Sequence, residues 1–129
     1  MKRAIVTDKA PKAIGSYSQA VHCARFIVTS GQLGLDPATG ALVPGGVGEE
    51  VKQVLLNLAA VLEEARSGFP QVVKTNIYLA DIADFPIVDA AYKACFAEDA
   101  VLPARTTVQV AGLPKGAQVE IDMMAYLEA

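Results

Sequence analysis

Apolar side chains recur at Val47, Val51, Val54, Leu55, Leu58, Val61, Leu62 and Ala65. That three-and-four spacing predicts a long amphipathic helix with one buried face. Gly68 and Pro70 stand where such a helix ends, and the β-branched run Val72–Leu79 predicts a strand. A second helical spacing passes through Phe85, Val88, Tyr92, Cys95 and Phe96, with Asp84 placed to cap it and Pro86 tolerable in its first turn. Upstream, residues 3–7, Ala20–Cys23 and 26–30 read as short strands. The last two are close enough to form a hairpin, although Ala24-Arg25 lacks the Gly or Asn that a two-residue turn favours. Residues 31–48 read as a turn and surface loop around Asp36-Pro37-Ala38-Thr39-Gly40. Strands over 105–111 and 119–127, joined by 112–116, complete the order β-β-β-α-β-α-β-β, an α+β arrangement with six strands and two helices.

Alternation along the last two strands divides their side chains between two faces. On 119–127, Val119, Ile121, Met123, Ala125 and Leu127 share one face, leaving Glu120, Asp122, Met124 and Tyr126 opposite. On 105–111, Thr106, Val108 and Val110 share a face, with Arg105, Thr107 and Gln109 behind them. If the helices cover the more apolar sets, Arg105, Thr107 and Glu120 fall together on the second face. Met124 and Tyr126 make that face too apolar for solvent, so it is expected to meet a second subunit.

Composition points the same way. Of 129 residues, 53% are hydrophobic and 19% charged, which excludes a disordered chain and fits one domain, residues 1–129, with one core. A lone domain of this size leaves roughly a third of its extended-chain surface exposed, so part of the apolar excess is expected to be buried between copies. Charge-free stretches reach about a dozen residues against the ~20 that span a bilayer, and the N-terminal residues do not develop the apolar run of an export signal. Cys23 and Cys95 lack metal or disulfide-framework spacing, and are expected as free buried thiols in the cytoplasm. Eleven basic residues against fourteen acidic ones disfavour a nucleic-acid partner.

Most candidate motifs fail on their own terms. His22, the sole histidine, sits beside Cys23 on a strand where neighbouring side chains point apart. Lys74-Thr75 follows Val73 where a P-loop needs Gly, and Gly45-Gly46-Val47-Gly48 lacks the preceding strand of a dinucleotide site. Arg105 and Glu120 remain, in a chain with few charges. Either they form a cross-strand ion pair, or Arg105 is free to grip the carboxylate of a small anionic ligand.

The sequence resembles the RidA (YjgF/YER057c/UK114) family along its whole length. The resemblance is carried by Ala10-Pro11-Lys12-Ala13-Ile14-Gly15-Ser16-Tyr17-Ser18-Gln19-Ala20, Ser30-Gly31-Gln32, Asp36-Pro37-Ala38-Thr39-Gly40, Val72-Val73-Lys74-Thr75, Pro103-Ala104-Arg105-Thr106 and Leu113-Pro114-Lys115 with Val119-Glu120-Ile121. It implies a chorismate-mutase-like fold, a six-stranded mixed sheet with two helices on one face, in a homotrimer with inter-subunit active sites. It also implies hydrolysis of reactive 2-imino acids or their enamine tautomers to 2-keto acids and ammonia without a cofactor, protecting pyridoxal-phosphate enzymes. By this resemblance Arg105 holds the substrate carboxylate, Glu120 handles water and protons, and Tyr17 closes a wall and offers its hydroxyl. Ser30, Gly31 and Thr107 add contacts. Ser16, Thr107, Arg66 and Asp89 depart from the family's usual proline, cysteine, helix-ending glycine and asparagine, with Asp89 still counted among the substrate-binding positions. Asp89 is a carboxylate near the site, able to repel an anionic substrate or raise a neighbouring acid's pKa, unless it is simply a solvated residue of the helix flank. Two other readings stay open: single-strand ribonuclease and translation inhibition, which family annotation offers, and a chaperone-like or carboxylate-binding trimer without turnover.

Overall fold

The computed structural model describes residues 1–128. Its strands are β1 (Lys2–Ile5), β2 (Ala20–Cys23), β3 (Phe26–Thr29), β4 (Val72–Leu79), β5 (Ala104–Gln109) and β6 (Val119–Tyr126), and its helices α1 (Val47–Glu64) and α2 (Phe85–Lys93). They form a six-stranded sheet in the order β1-β2-β3-β6-β4-β5. β4 and β5 run parallel, and the other neighbours pair antiparallel. The parallel pair needs a crossover, which α2 supplies. The expected α+β class and mixed sheet are therefore present.

Both helices lie on one face. Val51, Val54, Leu58, Val61 and Leu62 of α1 pack with Val88 and Tyr92 of α2 against Ile27, Ile77, Leu79, Val119, Ile121, Met123 and Ala125 of the sheet. Fully burying each Leu or Ile of this layer contributes about 1.5–3 kcal/mol. Helical spacing and strand alternation thus converge on one core.

The helix ends differ from the expected signals. Arg66, not Gly68, terminates α1: it takes φ +63° while its N–H donates to Glu63 O and the Ser67 N–H to Leu62 O. That crossed pair of bonds is a Schellman cap built on a non-glycine residue. Asp84 makes no capping bond. Asp81 instead accepts from the Ala83 N–H at 2.9 Å, capping the 3-10 turn Ile82–Asp84 that leads into α2. At the β2–β3 hairpin, Ala24 carries the positive φ of +52° without glycine, and its carbonyl lies 2.8 Å from His22 Nε2.

β5 reverses the expected parity. Arg105 is paired with Thr75 and Thr107 with Ile77, and both partners are fully buried beneath the helices. Directly paired residues point to the same face, so Arg105 and Thr107 lie on the helix side. Glu120 pairs with Tyr78 on the opposite side. Apolar parity does not mark the helix-covered face in this sheet. Here the uncovered face is itself apolar, with Phe26, Val28, Val108 and Met124 all exposed. Cys23 is exposed and Cys95 partly buried, both free, so Cys23 is not the buried thiol expected.

Candidate active site

Glu120 sits at the floor of a cleft of about 460 Å³, with Tyr17, Ser30 and Gly31 among its lining residues. Local structure fixes this grouping. After β3, the Gln32 N–H donates to Ile121 O at 2.8 Å and the Ile121 N–H to Gln32 O at 3.1 Å, clamping the chain against β6 beside Glu120. Gly31 is required by that approach: a Cβ there would lie 2.1 Å from Glu120 Oε2 and 2.8 Å from its Cδ.

The wall carrying Tyr17 is tied down by one buried amide. Gln19 Nε2 donates to Thr7 O and Pro11 O at 3.0 and 2.8 Å, and its Oε1 accepts from the Thr7 N–H at 2.8 Å. The Ser30 hydroxyl donates to Ser18 O at 2.6 Å, so this serine holds the loop in addition to lining the cleft. The Tyr17 hydroxyl accepts the Ile14 N–H at 3.2 Å, leaving its own proton free to donate into the cleft.

Burial raises the pKa of Glu120 above the ordinary value of 4.5, and the negative charge of Asp122 adds to the shift. Asp122 itself accepts from Asn76 Nδ2 at 2.8 Å. Among the described residues no cation pairs with Glu120 to offset the effect. The cleft therefore holds a carboxyl group of increased basicity beside a free hydroxyl donor, the equipment of general acid–base chemistry.

Arg105 lies elsewhere, in a recess of about 440 Å³ lined by Asp89, Tyr92, Lys93, Leu102, Pro103 and Arg105. Its guanidinium carbon is 5.1 Å from the centroid of Phe85 and 5.2 Å from that of Tyr92, so the rings of α2 hold the charge by cation–π contact. Tyr92 is fixed in turn by donating to Thr75 Oγ1 at 2.9 Å. Arg105 Nη1 donates to Asp89 Oδ1 at 2.6 Å. The carboxylate partner of Arg105 is thus Asp89 of α2, not the alternative Glu120, and Asp89 is no bystander on the helix flank. Thr107 lines neither hollow: its hydroxyl oxygen is buried without a hydrogen-bond partner among the described residues.

Of the residues singled out from the sequence, Tyr17, Ser30, Gly31 and Glu120 meet in one hollow, and Arg105 and Asp89 in another on the opposite side of the sheet. Gln19 and the two rings that cradle Arg105 were not recognised as site builders. The rings were legible only as core positions of a helix, and their second role depends on the β4–β5 register. Groups of three or more His, Cys, Asp or Glu side chains able to hold a metal are absent among the described residues. No helix there is long and apolar enough to cross a membrane.

Comparison with known proteins gives this geometry a family. The 2-iminobutanoate/2-iminopropanoate deaminase of Rattus norvegicus is 53% identical over 125 residues, covering 97% of this chain and 90% of that protein. RidA from the Antarctic bacterium Psychrobacter superposes with a TM-score of 0.91 at 43% identity, over 97% of this chain and 99% of that one. E. coli TdcF with bound serine gives 0.91 at 35% identity, over 98% and 99%. The family described as Endoribonuclease L-PSP matches residues 7–127, and the chain belongs to that family, which includes the RidA proteins its motifs resemble.

Proposed function

We propose that this protein hydrolyses 2-imino acids, in exchange with their enamine tautomers, to 2-keto acids and ammonium. The activity is that named for its 53%-identical relative. The observation that carries the reading is the half-buried Glu120, packed over Gly31 with its basicity raised and forming no ion pair among the described residues. In this reaction an iminium carbon and one water become a carbonyl carbon and an ammonium ion. Glu120 takes a proton from the attacking water and returns it to the departing nitrogen. Tyr17 donates to the developing hydroxyl or to the nitrogen, and Gly31 leaves the space in which Glu120 and substrate meet. Arg105 anchors the substrate carboxylate and so fixes the imine carbon against the water. Ser30 holds the Tyr17 loop. No step calls for a cofactor.

Arg105 and Glu120 lie on opposite faces of one chain, so the reading joins the cleft of one copy to the recess of the next. Such head-to-tail contact gives a ring where the rotation closes and a filament where it does not, and a homotrimer of single-domain subunits is the ring the family resemblance implies. The exposed Phe26, Val28, Val108 and Met124 supply an apolar face for it. A relative holding serine supports a site sized for small amino or imino acids. Two free cysteines suit a reducing compartment, the cytoplasm, where pyridoxal-phosphate dehydratases release such imines.

The test couples the protein to a serine or threonine dehydratase and follows 2-keto acid release. Acceleration well beyond buffer hydrolysis is expected. A rate equal to the uncatalysed one rejects the enzymatic reading, and saturable ligand binding without acceleration would favour a binding module.

A further inference from the structure

The pairing of Arg105 with Asp89 has a shape that a purely structural ion pair does not need. One oxygen of Asp89 meets one nitrogen of Arg105, at 2.6 Å, and the two side chains remain 27% and 40% exposed. Asp89 Oδ2 and the Nη2–Nε edge of Arg105 have no hydrogen-bond partner among the described residues. Phe85 and Tyr92 hold the guanidinium at 5.1 and 5.2 Å, so its edge cannot swing freely to complete a bidentate pair. Lys93 also lines the recess and is exposed. The recess therefore presents both an unfilled donor edge and an unfilled acceptor oxygen.

We infer that Asp89 and Arg105 together form a dipolar receptor for zwitterionic 2-imino and 2-amino acids, Arg105 taking the carboxylate and Asp89 the protonated nitrogen. This rests on the proposed role of Arg105 as carboxylate anchor. A ligand anion meeting this pair gains one cation but faces an adjacent carboxylate. A zwitterion, whose nitrogen and carboxylate lie on neighbouring carbons, gains a charge-assisted contact at both ends. Substrate and product then differ at this site by more than one atom. The iminium form of the substrate is a zwitterion, whereas the 2-keto acid product is a bare anion that Asp89 repels. Asp89 is accordingly a specificity residue that favours substrate over product, and Lys93 moderates that repulsion.

Titration calorimetry of the intact protein with 2-aminobutanoate and 2-oxobutanoate tests this, because the two ligands differ chiefly in the group facing Asp89. The wild-type protein is expected to bind the amino acid about tenfold more tightly, the scale of one charge-assisted contact. Asp89→Asn, nearly isosteric and on an accessible helix face, is expected to reverse the order by strengthening 2-oxobutanoate binding and weakening that of 2-aminobutanoate. Equal weakening of both ligands would mean that Asp89 only positions Arg105, and would overturn the proposal. So would no change in either, or a wild-type protein that shows no preference or binds neither ligand at millimolar concentration. Arg105→Ala separates the two readings: if it binds 2-oxobutanoate as the wild type does, the carboxylate anchor itself is wrong, whatever Asp89 does.

Discussion

The Glu120 cleft and the Arg105 recess hold the two charges on which the proposed chemistry depends, and the chain treats them differently. Glu120 is packed over a glycine, flanked by a like charge and walled by a loop that one buried amide locks. Its reactivity is set within a single subunit. Arg105 lies on the outermost strand of the sheet, steadied by two aromatic faces and one oxygen of Asp89. Its direction is set, but its donor edge is left open. One hollow holds the carboxyl group of raised basicity and the other the open guanidinium edge, so the proposed site draws on two copies.

The largest expected effect breaks that division of labour. Arg105→Ala should lower kcat/KM in the dehydratase-coupled assay by about a hundredfold or more, because an unanchored substrate loses its orientation toward the water. The proposed oligomer should survive, since the apolar area available to hold it comes from Phe26, Val28, Val108 and Met124 rather than from Arg105. Glu120→Gln should be similarly inactive while remaining folded. Co-expressing the two inactive chains is the sharper measurement. Mixed oligomers in which an intact cleft meets an intact recess should recover activity, whereas a site contained in one chain would stay dead.

The same division shows what the sequence made legible. The core of α1 and the central strands are legible because periodicity reports local structure and nearest-neighbour packing, whereas Tyr17, Ser30 and Gly31 stand beside Glu120 in the sequence reading only through the family resemblance. The side of the sheet on which Arg105 lies is not legible. A strand's alternation defines two sets of residues without saying which set faces the helices, and the usual tie-breaker, that the apolar set faces inward, fails when both faces are apolar. Only the pairing of Arg105 with Thr75 decides it. Asp89 was read as either a repelling carboxylate near the site or a solvated flank residue, because its contact with Arg105 joins a crossover helix to an edge strand sixteen residues away. The end of α1 carries two signals: Gly68 and Pro70 resemble punctuation, but the hydrogen bonds close two residues earlier on Arg66, the position where the family resemblance expects a helix-ending glycine.

Gly31→Ala probes the cleft alone. Its methyl group would occupy the place of the Glu120 carboxylate, and the flexible end of that side chain would move aside rather than break the strand. Activity should fall about tenfold or more through misplacement of the acid, with a melting temperature close to that of the wild type. A large loss of stability would mean that the glycine serves the backbone instead.

Asp122→Asn makes a smaller and more specific change. If Glu120 acts as a base, activity falls as pH drops through its pKa, and the raised value places that acidic limb above the ordinary 4.5. Removing the Asp122 charge removes the lesser of the two causes while burial remains. The limb should therefore move to lower pH without reaching the unperturbed position. The sign for stability is the reverse of a salt-bridged acid: a raised folded pKa favours folding at low pH, and this contribution is lost as pH rises through it. Glu120→Gln should accordingly be at least as stable as wild type at neutral pH, even though it is inactive. A pH–rate profile whose acidic limb is unchanged in Asp122→Asn would remove Glu120 from the titrating role.

The smallest effect lies outside both hollows and separates stability from chemistry. Arg66 holds a left-handed conformation at the end of α1, where a side chain costs about 1 kcal/mol relative to glycine. The hydrogen bonds of the cap come from the backbone, and glycine would keep them. Arg66→Gly should raise unfolding stability by about 0.5–1 kcal/mol, less the greater freedom glycine gives the unfolded chain, and should leave kcat/KM unchanged. Chemical denaturation checks the first part and the coupled assay the second. A change in activity would show that the end of α1 communicates with the site, which the separation of Arg66 from both the Glu120 cleft and the Arg105 recess argues against.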